Sequence, residues 1–281
     1  MMMMMMTTAD ELRTARECGV HPSAPGAGLD GADLEGADLE GADLEGANLE
    51  GARLQGANLW GANLRGANLR GANLEGAALR DSDLEGANLE GANLQGARLQ
   101  GANLVVANLR GANLEGAALR AASLRGASLA RADLRDSDLI YVDLRGADLR
   151  GANLEGAALR DSDLWGANLW GANLRIADLR IADLEGVNLP KGGPACRALG
   201  ETPSGMAQLV ATLDGWTMRV GCWTGTPDDL RTLIAQDDGW PEARGDQIEE
   251  RRPFLENVLA LAEWHMEQHA DYIEQLVAKW R

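Results

Sequence analysis

Leucine occupies every fifth position of this chain from Leu29 to Leu189, in an unbroken series of 33 residues. Two positions before each leucine stands a small residue, usually Ala, and the residue between them is Asn or Asp in 25 of the 33 repeats. A variable residue follows the leucine, and the fifth residue is Gly in most repeats. The repeating unit is therefore Ala, then Asn or Asp, then Leu, then a variable residue, then Gly.

This unit requires the chain to turn once in every repeat. A spacing of two residues puts Ala and Leu on the same side of an extended segment, but five is odd, so a straight strand would turn the next pair to the opposite side. Gly accepts the backbone angles of a tight turn, and Asn and Asp tolerate them. Four turns close a square coil, and coils stack at about 4.8 Å. Residues 26–190 are therefore predicted to form about eight coils, in a rod about 40 Å long.

An α-helix does not fit the same pattern. Each step of five residues rotates by about 500° around a helix, so the leucines would spiral around it rather than form one apolar stripe. Each Gly in a helix interior would also cost about 1 kcal/mol. The repeat region is therefore predicted to be an all-β solenoid.

The repeating unit resembles the consensus of the pentapeptide-repeat family, which is Ala, Asp or Asn, Leu and two variable residues. The resemblance covers residues 26–190 and implies a right-handed quadrilateral β-helix, with the central Leu and the preceding Ala facing inward. Family members often carry Phe at some central positions. The single Phe of this chain is Phe254, outside the repeats, so we expect an unusually uniform core.

The segments on either side of the repeats are expected to cover the open ends of the solenoid. Residues 1–25 are predicted to be a tail and a helical cap, because Thr8 and Glu11 fit a capping box for a short helix over residues 8–18. That helix is expected to cover the first leucines. Residues 191–206 are rich in Gly and Pro and are predicted to be a linker.

Residues 207–281 predict a C-terminal domain of one β-hairpin and helices, and they resemble the tails of bacterial and bacteriophage-encoded pentapeptide-repeat proteins. Asp214-Gly215 marks the hairpin turn, and Thr226-Pro227 the start of a helix. A longer helix is predicted from about Pro253 to Trp280. Its apolar stripe either packs on the hairpin and the solenoid end, which we favour, or makes a homodimer. The stripe contains Leu255, Leu259, Met266, Ile273, Leu276 and Trp280.

A few outward positions of the repeats carry large apolar residues. These positions are Trp60, Val105, Val106, Ile140, Tyr141, Trp165, Trp170, Ile176 and Ile181. Trp165 and Trp170 lie in the last coils, where we expect the C-terminal domain to dock. The alternative is a patch that binds a protein partner.

The charge of the chain bears on its partners. A net charge of −17 disfavours direct binding to nucleic acid or to an anionic membrane surface. The resemblance also implies one alternative function, because some family members protect bacterial DNA gyrase by imitating the shape and charge of DNA. Such imitation needs a continuous acidic face. Residues 30–50 hold eight acidic residues and no basic ones, whereas residues 51–130 hold six acidic and eight basic residues.

The sequence offers little for enzymatic chemistry. His265 and His269 are four residues apart and could share a metal ion, but no third ligand is evident, and we favour a solvated helix face. The three cysteines, Cys18, Cys196 and Cys222, are far apart, as in a cytoplasmic protein with reduced thiols. We therefore predict a non-enzymatic scaffold or interaction protein that has no cofactor and binds an unidentified protein. A DNA-mimicking, topoisomerase-protecting protein is the alternative.

Overall fold

The computed structural model describes residues 8–15, 22–175, 177–179, 182, 196–202, 205–212, 215–220, 223–236 and 246–280. Leu184 and Leu189 of the leucine series, and the outward residues Ile176 and Ile181, lie outside these residues. The side chains of Leu276 and Trp280 are also outside the described part, although their backbone belongs to a helix.

The repeats form coils of 20 residues. Parallel β-bridges join each residue that precedes the central position of a repeat to its equivalent 20 positions later, from Ser23–Asp43 through to Ala158–Asp178, and the central residue is Leu everywhere except at Ala24. Because the bridges repeat in one register, residues 22–179 make about eight stacked coils. The coil length and the stacking predicted from the sequence are confirmed.

The inside of the coils is filled by the leucines. All leucines of the series from Leu29 to Leu179 are at most 3% exposed, and the alanines two positions earlier are buried with them in most coils. Ser replaces this Ala in three repeats, and the hydroxyl of Ser82, for example, donates to the carbonyl oxygen of Leu79 at 2.7 Å. Since burying one leucine contributes about 1.5–3 kcal/mol, the repeated core dominates the stability of the rod.

The backbone hydrogen bonds explain why Asn or Asp precedes the leucine. In the repeat of residues 47–51, the N–H groups of Asn48, Leu49 and Gly51 donate to carbonyls of adjacent coils at 2.7–2.9 Å, and that of Ala47 closes a turn at 3.0 Å. The fifth N–H, of Glu50, donates to the side-chain Oδ1 of Asn48 at 3.3 Å. Every N–H of the repeat therefore has a partner, and the Asn side chain supplies the one that no backbone carbonyl reaches.

The fifth position of each repeat is a corner in the left-handed backbone region. The described corner glycines of the rod have φ between +62° and +72°. Among the corners that the structure describes, seven carry another residue at φ of +52° to +60°, and these are Asp81, Val106, Ala121, Arg131, Asp136, Tyr141 and Asp161. A Cβ in this region costs about 1–2 kcal/mol, and a branched one such as that of Val106 is the least expected there.

The N-terminal helix α1 spans Ala9–Ala15. The predicted capping box is confirmed, because the Thr8 N–H donates to Glu11 Oε2 at 3.0 Å and the Glu11 N–H donates to Thr8 Oγ1 at 3.3 Å. Leu12 is fully buried in the same apolar cluster as Leu29 and Leu34. The guanidinium of Arg13 contacts the Asp33 carboxylate at 3.2 Å. Residues 16–18, the rest of the predicted helix, lie outside the described part of the chain.

The C-terminal segment contains a four-stranded antiparallel sheet in the order β1 to β4. The strands are β1 Cys196–Thr202, β2 Gly205–Thr212, β3 Gly215–Val220 and β4 Trp223–Gly225. The predicted hairpin is confirmed, since β2 pairs with β3 up to Thr212 and Gly215. The predicted linker over residues 191–206 is wrong, because β1 lies within it and pairs with β2. The Gly and Pro residues of this segment are typical of a loop. The strand forms there nevertheless, because it pairs with the backbone groups along the edge of β2 that β3 does not use.

In the described residues after the sheet, the chain forms the helices α2 Pro227–Ile234, α3 Asp246–Gln268 and α4 Tyr272–Trp280. The predicted start of α2 is confirmed by a capping box between Thr226 and Asp229. The prediction of one helix from Pro253 is wrong, because α3 begins before that proline and the helix breaks after Gln268. At the break, the Tyr272 N–H donates to the carbonyl of His269, a tighter turn than the helix uses, at 3.0 Å.

Candidate functional site

The outer surface of the coils has four sides, and residues 20 apart in the sequence lie on the same side. Each side is named here after its first described leucine: the Leu29, Leu34, Leu39 and Leu44 sides. The residues just before and just after each leucine face outward, because the leucines fill the interior. A functional contact of the rod therefore has to use these outward residues and the corners.

Much of the charge on the Leu34 and Leu44 sides is locally neutralised. On the Leu34 side, the guanidinium of Arg135 contacts Glu115 of the adjacent coil and Asp133 of its own repeat, each at 2.6 Å. On the Leu44 side, Arg65 contacts Glu85 of the adjacent coil at 2.8 Å. Such exposed pairs contribute little to stability, but they interrupt the acidic surface.

Three aspartates are paired within their own repeats. Arg135, Arg145 and Arg150 each donate to the aspartate two residues earlier, and these hydrogen bonds hold the pKa of Asp133, Asp143 and Asp148 below the ordinary value of 3.8. Partial burial of each carboxylate opposes the shift without cancelling it. These carboxylates therefore stay ionised and paired at neutral pH.

The aromatic residues predicted as candidate contacts are exposed, although two of the aliphatic ones are not. Trp60, Val106, Tyr141, Trp165 and Trp170 are each at least half exposed. Val105 and Ile140 are half-buried.

The exposed residues do not form one continuous patch. The Trp60 indole N–H donates to Asp81 at 3.3 Å near the N-terminal end of the rod. The Arg120 guanidinium lies 5.1 Å from the centre of the Tyr141 ring in the middle of the rod. Trp165 and Trp170 stand on adjacent sides, the Leu44 side and the Leu29 side, several coils away from Trp60.

The Leu29 side carries a groove that the sequence did not single out. Its volume is about 590 Å³, and its lining residues come from four consecutive coils: Arg110, Ser128, Ala130, Arg131, Asp148, Arg150, Gly151, Trp170 and Gly171. We call it the arginine groove. The sequence feature that could have predicted this groove is a pair of short residues, Ser128 and Ala130. The coils on either side carry larger polar residues at the equivalent positions.

The C-terminal helices contact the last described coil. The Tyr272 hydroxyl donates to the Leu174 carbonyl at 3.0 Å, and the Arg175 guanidinium donates to Gln275 Oε1 at 3.4 Å. The two tryptophans predicted to dock this domain, Trp165 and Trp170, remain 55% and 58% exposed. The described hydrogen bonds of this domain to the rod therefore use Leu174 and Arg175 rather than these tryptophans.

The apolar stripe of the C-terminal helices is partly covered by its own chain. Leu255 and Leu259 are buried, and Met266 and Ile273 are partly buried in the same cluster. The exposed large apolar residues of α3 are instead Leu261 and Trp264. Self-association through this helix remains a prediction, and Leu255 and Leu259 could take part only if the chain rearranged.

The histidine pair lies at an aromatic contact. His265 is buried, with its ring edge-on to Trp216 at 5.5 Å, and its ring centre is 4.5 Å from that of His269. The predicted solvated helix face is therefore wrong for His265, because the sheet covers it. Among the described residues, there is no group of three or more His, Cys, Asp or Glu side chains able to hold a metal ion. None of the helices in the described ranges is long and apolar enough to cross a membrane.

The repeat region is similar to known proteins. A family model described as pentapeptide repeats matches eight copies, over residues 27–63, 47–86, 87–126, 119–156 and 152–189. No curated protein matches the sequence.

Solved structures show the same similarity. HetL, a pentapeptide repeat protein involved in heterocyst differentiation regulation in the cyanobacterium Nostoc sp. strain PCC 7120, is 36% identical, with a TM-score of 0.52 over 66% of this chain and 91% of HetL. A pentapeptide repeat protein of the Arabidopsis thaliana thylakoid lumen is 33% identical over 33% of this chain and 68% of its own, with a TM-score of 0.28. QnrB1, a plasmid-mediated fluoroquinolone resistance protein, is 23% identical over 60% of this chain and 83% of its own, with a TM-score of 0.32.

Proposed function

Because the chain belongs to the pentapeptide-repeat family, we propose that it is a non-enzymatic scaffold whose rod binds a protein partner on its outer surface. The observation that carries this proposal is the set of exposed aromatic side chains on a rod whose interior is filled by leucine. Trp and Tyr are enriched among the few residues that contribute most of the binding energy of protein interfaces. A filled interior leaves the surface as the place where function is carried out.

The two ends of the rod have a separate role in this proposal. We assign α1 as the N-terminal cap, supported by the burial of Leu12 among the first leucines of the repeat. The C-terminal sheet and helices are the second cap, supported by the hydrogen bond from Tyr272 to Leu174. Caps are needed because a bare terminal coil exposes strand edges and leucines. The three widely separated cysteines favour the cytoplasm as the compartment.

The alternative function, protection of a topoisomerase by imitation of DNA, draws support from the eight acidic residues of 30–50. Two features count against it. The middle of the rod carries more basic than acidic residues, and ion pairs such as Arg65–Glu85 interrupt the acidic sides. A duplex presents one charge per phosphate along its whole length, so a broken acidic face is a poor substitute.

The experiment that tests the scaffold proposal begins with affinity capture from the native host and ends with a purified pair. A captured protein counts only if it binds the purified full chain in a direct titration. Trp165→Ala and Trp170→Ala, together, are expected to weaken that binding while the melting temperature stays unchanged. Gln95→Ala, on another side of the rod, serves as the matched control. A protein that shows no direct partner in this test would contradict the proposal.

A further inference from the structure

The arginine groove is a local excess of positive charge on an acidic protein. Three guanidinium groups line it, from Arg110, Arg131 and Arg150, against the single carboxylate of Asp148. Arg150 is bound to Asp148 at 2.7 Å. Within the described part of the chain, neither Arg110 nor Arg131 lies within ion-pair distance of a carboxylate. The groove therefore offers two guanidinium groups that form no ion pair with the described residues of the protein.

The groove exists because one coil carries short residues. Ser128 and Ala130 form its floor, whereas the equivalent positions one coil earlier are Asn108 and Arg110. Trp170 closes one end of the groove, and its side chain is 58% exposed. The result is a recess with a polar, cationic wall and an aromatic end.

Arg131 occupies a position that disfavours any residue with a side chain. It stands at a corner with φ of +60°, where most repeats have Gly. Its side chain lies along the next coil, since a Cβ placed on Gly151 would be 3.7 Å from Arg131 Cγ. An arginine at a strained corner that also lines a groove is a functional candidate, because strain of this kind persists where a contact makes use of it.

We propose that the arginine groove binds an acidic, extended segment of a protein partner. Two carboxylates of that segment contact Arg110 and Arg131, and an apolar side chain packs against the Trp170 ring. This proposal rests on the proposed function, since it states the chemistry of the partner. Carboxylates bind guanidinium groups through short, charge-assisted hydrogen bonds, which suits the two available arginines.

The length of the groove fits a peptide segment. Four stacked coils span about 14 Å, which is the length of about four residues of extended chain. A long polyanion such as nucleic acid fits less well, because it would continue past Glu90 and Glu50 on the same side. Only a ligand as short as the groove meets its positive charge without meeting these carboxylates.

The test uses the purified full chain and a fluorescein-labelled tetrapeptide of three glutamates and one leucine, which matches the length of the groove, and follows binding by fluorescence anisotropy. The same peptide with glutamine in place of glutamate is the uncharged control. We expect Arg110→Gln and Arg131→Gly each to weaken binding of the glutamate peptide about tenfold, the effect of one lost charged hydrogen bond. Arg131→Gly introduces the residue that most corners carry, so the coil is retained.

The matched control variant is Arg70→Gln. Arg70 occupies the same position as Arg110 on the same side, two coils earlier, but contacts Glu50 at 3.3 Å. The Arg70→Gln variant is expected to bind the glutamate peptide with the same affinity as the wild type. Equal losses in all three variants, or no binding of the glutamate peptide, would overturn the proposal.

A parallel titration with inorganic pyrophosphate separates a peptide site from a phosphate site. If pyrophosphate binds with the same arginine dependence and the glutamate peptide does not, the assignment to a protein segment is overturned. If the peptide fails but the purified partner of the rod still binds, the groove is misassigned and the scaffold function stands. If the partner itself fails in direct titration, the scaffold function falls.

Discussion

The Tyr272 hydroxyl donates a hydrogen bond of 3.0 Å to the carbonyl oxygen of Leu174, and the two residues are 98 positions apart in the sequence. Tyr272 is 3% exposed, and its ring centre lies 6.2 Å from that of Trp216 in the C-terminal sheet. One side chain therefore links the sheet, the last helix and the last described coil. This contact gives the first test of the proposed C-terminal cap.

Tyr272→Phe is expected to lower the free energy of unfolding by about 0.5–1.5 kcal/mol, because the fold loses one buried hydrogen bond while the Leu174 carbonyl still accepts from the Ala177 N–H at 3.1 Å. Hydrogen exchange should quicken most around Leu174 and in α4. Tyr141→Phe, at an exposed corner, is the control and should leave both measurements unchanged. Faster exchange spread evenly along the whole rod would contradict a local cap contact.

Leu104→Ala is expected to lower the free energy of unfolding by about 2–5 kcal/mol, because the closely packed coils leave a cavity where the side chain was. Leu104 is 1% exposed in the middle of the rod. Leu104→Asp should be worse, since the charge cannot reach water. Denaturant unfolding measures both, with Leu261→Ala on the exposed face of α3 as the control. An Asp variant as stable as the wild type would disprove the inward orientation of the leucines.

Val106→Gly is expected to stabilise the protein by up to about 1 kcal/mol, because it removes a branched side chain from the left-handed region and offsets the greater freedom of Gly in the unfolded chain. Gly111→Val is the reverse change at a corner with φ of +65° and open space around the added Cβ. It should destabilise by about 1 kcal/mol or more. Thermal melting of both variants measures the effect of the corner, and shifts of the same sign would contradict it.

Acid is expected to destabilise the rod through its paired aspartates. The pKa of Asp148 lies below its ordinary value of 3.8, because Arg150 donates hydrogen bonds to the carboxylate. A group whose folded pKa is lowered stabilises the fold above its unfolded pKa, and that stability is lost as the pH falls from about 3.8 downward. Asp148→Asn should reduce the fall in melting temperature between pH 6 and pH 3. An unchanged fall would show that the Asp148–Arg150 pair has no role in acid sensitivity.

The purified protein is expected neither to inhibit DNA supercoiling by gyrase nor to protect gyrase from a quinolone. The physical reason is the interrupted acidic surface, in which Arg65 and Arg135 neutralise carboxylates of adjacent coils. A gel-based supercoiling assay with added protein measures both effects. A dose-dependent effect at micromolar protein would reverse the order of the two proposed functions.

The regular part of the fold could be predicted because every repeat has the same physical requirement, which is an inward Leu and one turn of the chain. The inward position of Leu104 follows from the spacing alone, and the capping boxes at Thr8 and Thr226 follow from local residue types. The sequence predicts that Val106 lies at a corner, but it does not predict the strained backbone conformation of this residue. That conformation is set by the neighbouring glycines of the ladder. Periodicity thus predicted what is local and repeated.

The parts that failed depend on contacts between distant segments. Strand β1 could not be predicted, because the Gly and Pro residues next to it favour a loop and the strand depends on pairing with the free edge of β2. The helix break between Gln268 and Tyr272 and the contact of Tyr272 with Leu174 have no counterpart in the apolar pattern of the helix. The arginine groove was missed because two short residues, Ser128 and Ala130, matter only once coils 20 residues apart are stacked.

Every described β-bridge of the rod joins residues 20 positions apart, so the position of a residue in the sequence determines the side of the rod on which it lies. Insertion or loss of a whole coil slides the downstream surface along the axis but keeps each residue on its side. Insertion or loss of a single repeat turns every downstream side chain by a quarter of a revolution. The sequence GANLEGAALR begins at residues 71, 111 and 151, which are two whole coils apart. Duplication in steps of two whole coils therefore lengthens the rod and leaves every residue on the side where it was.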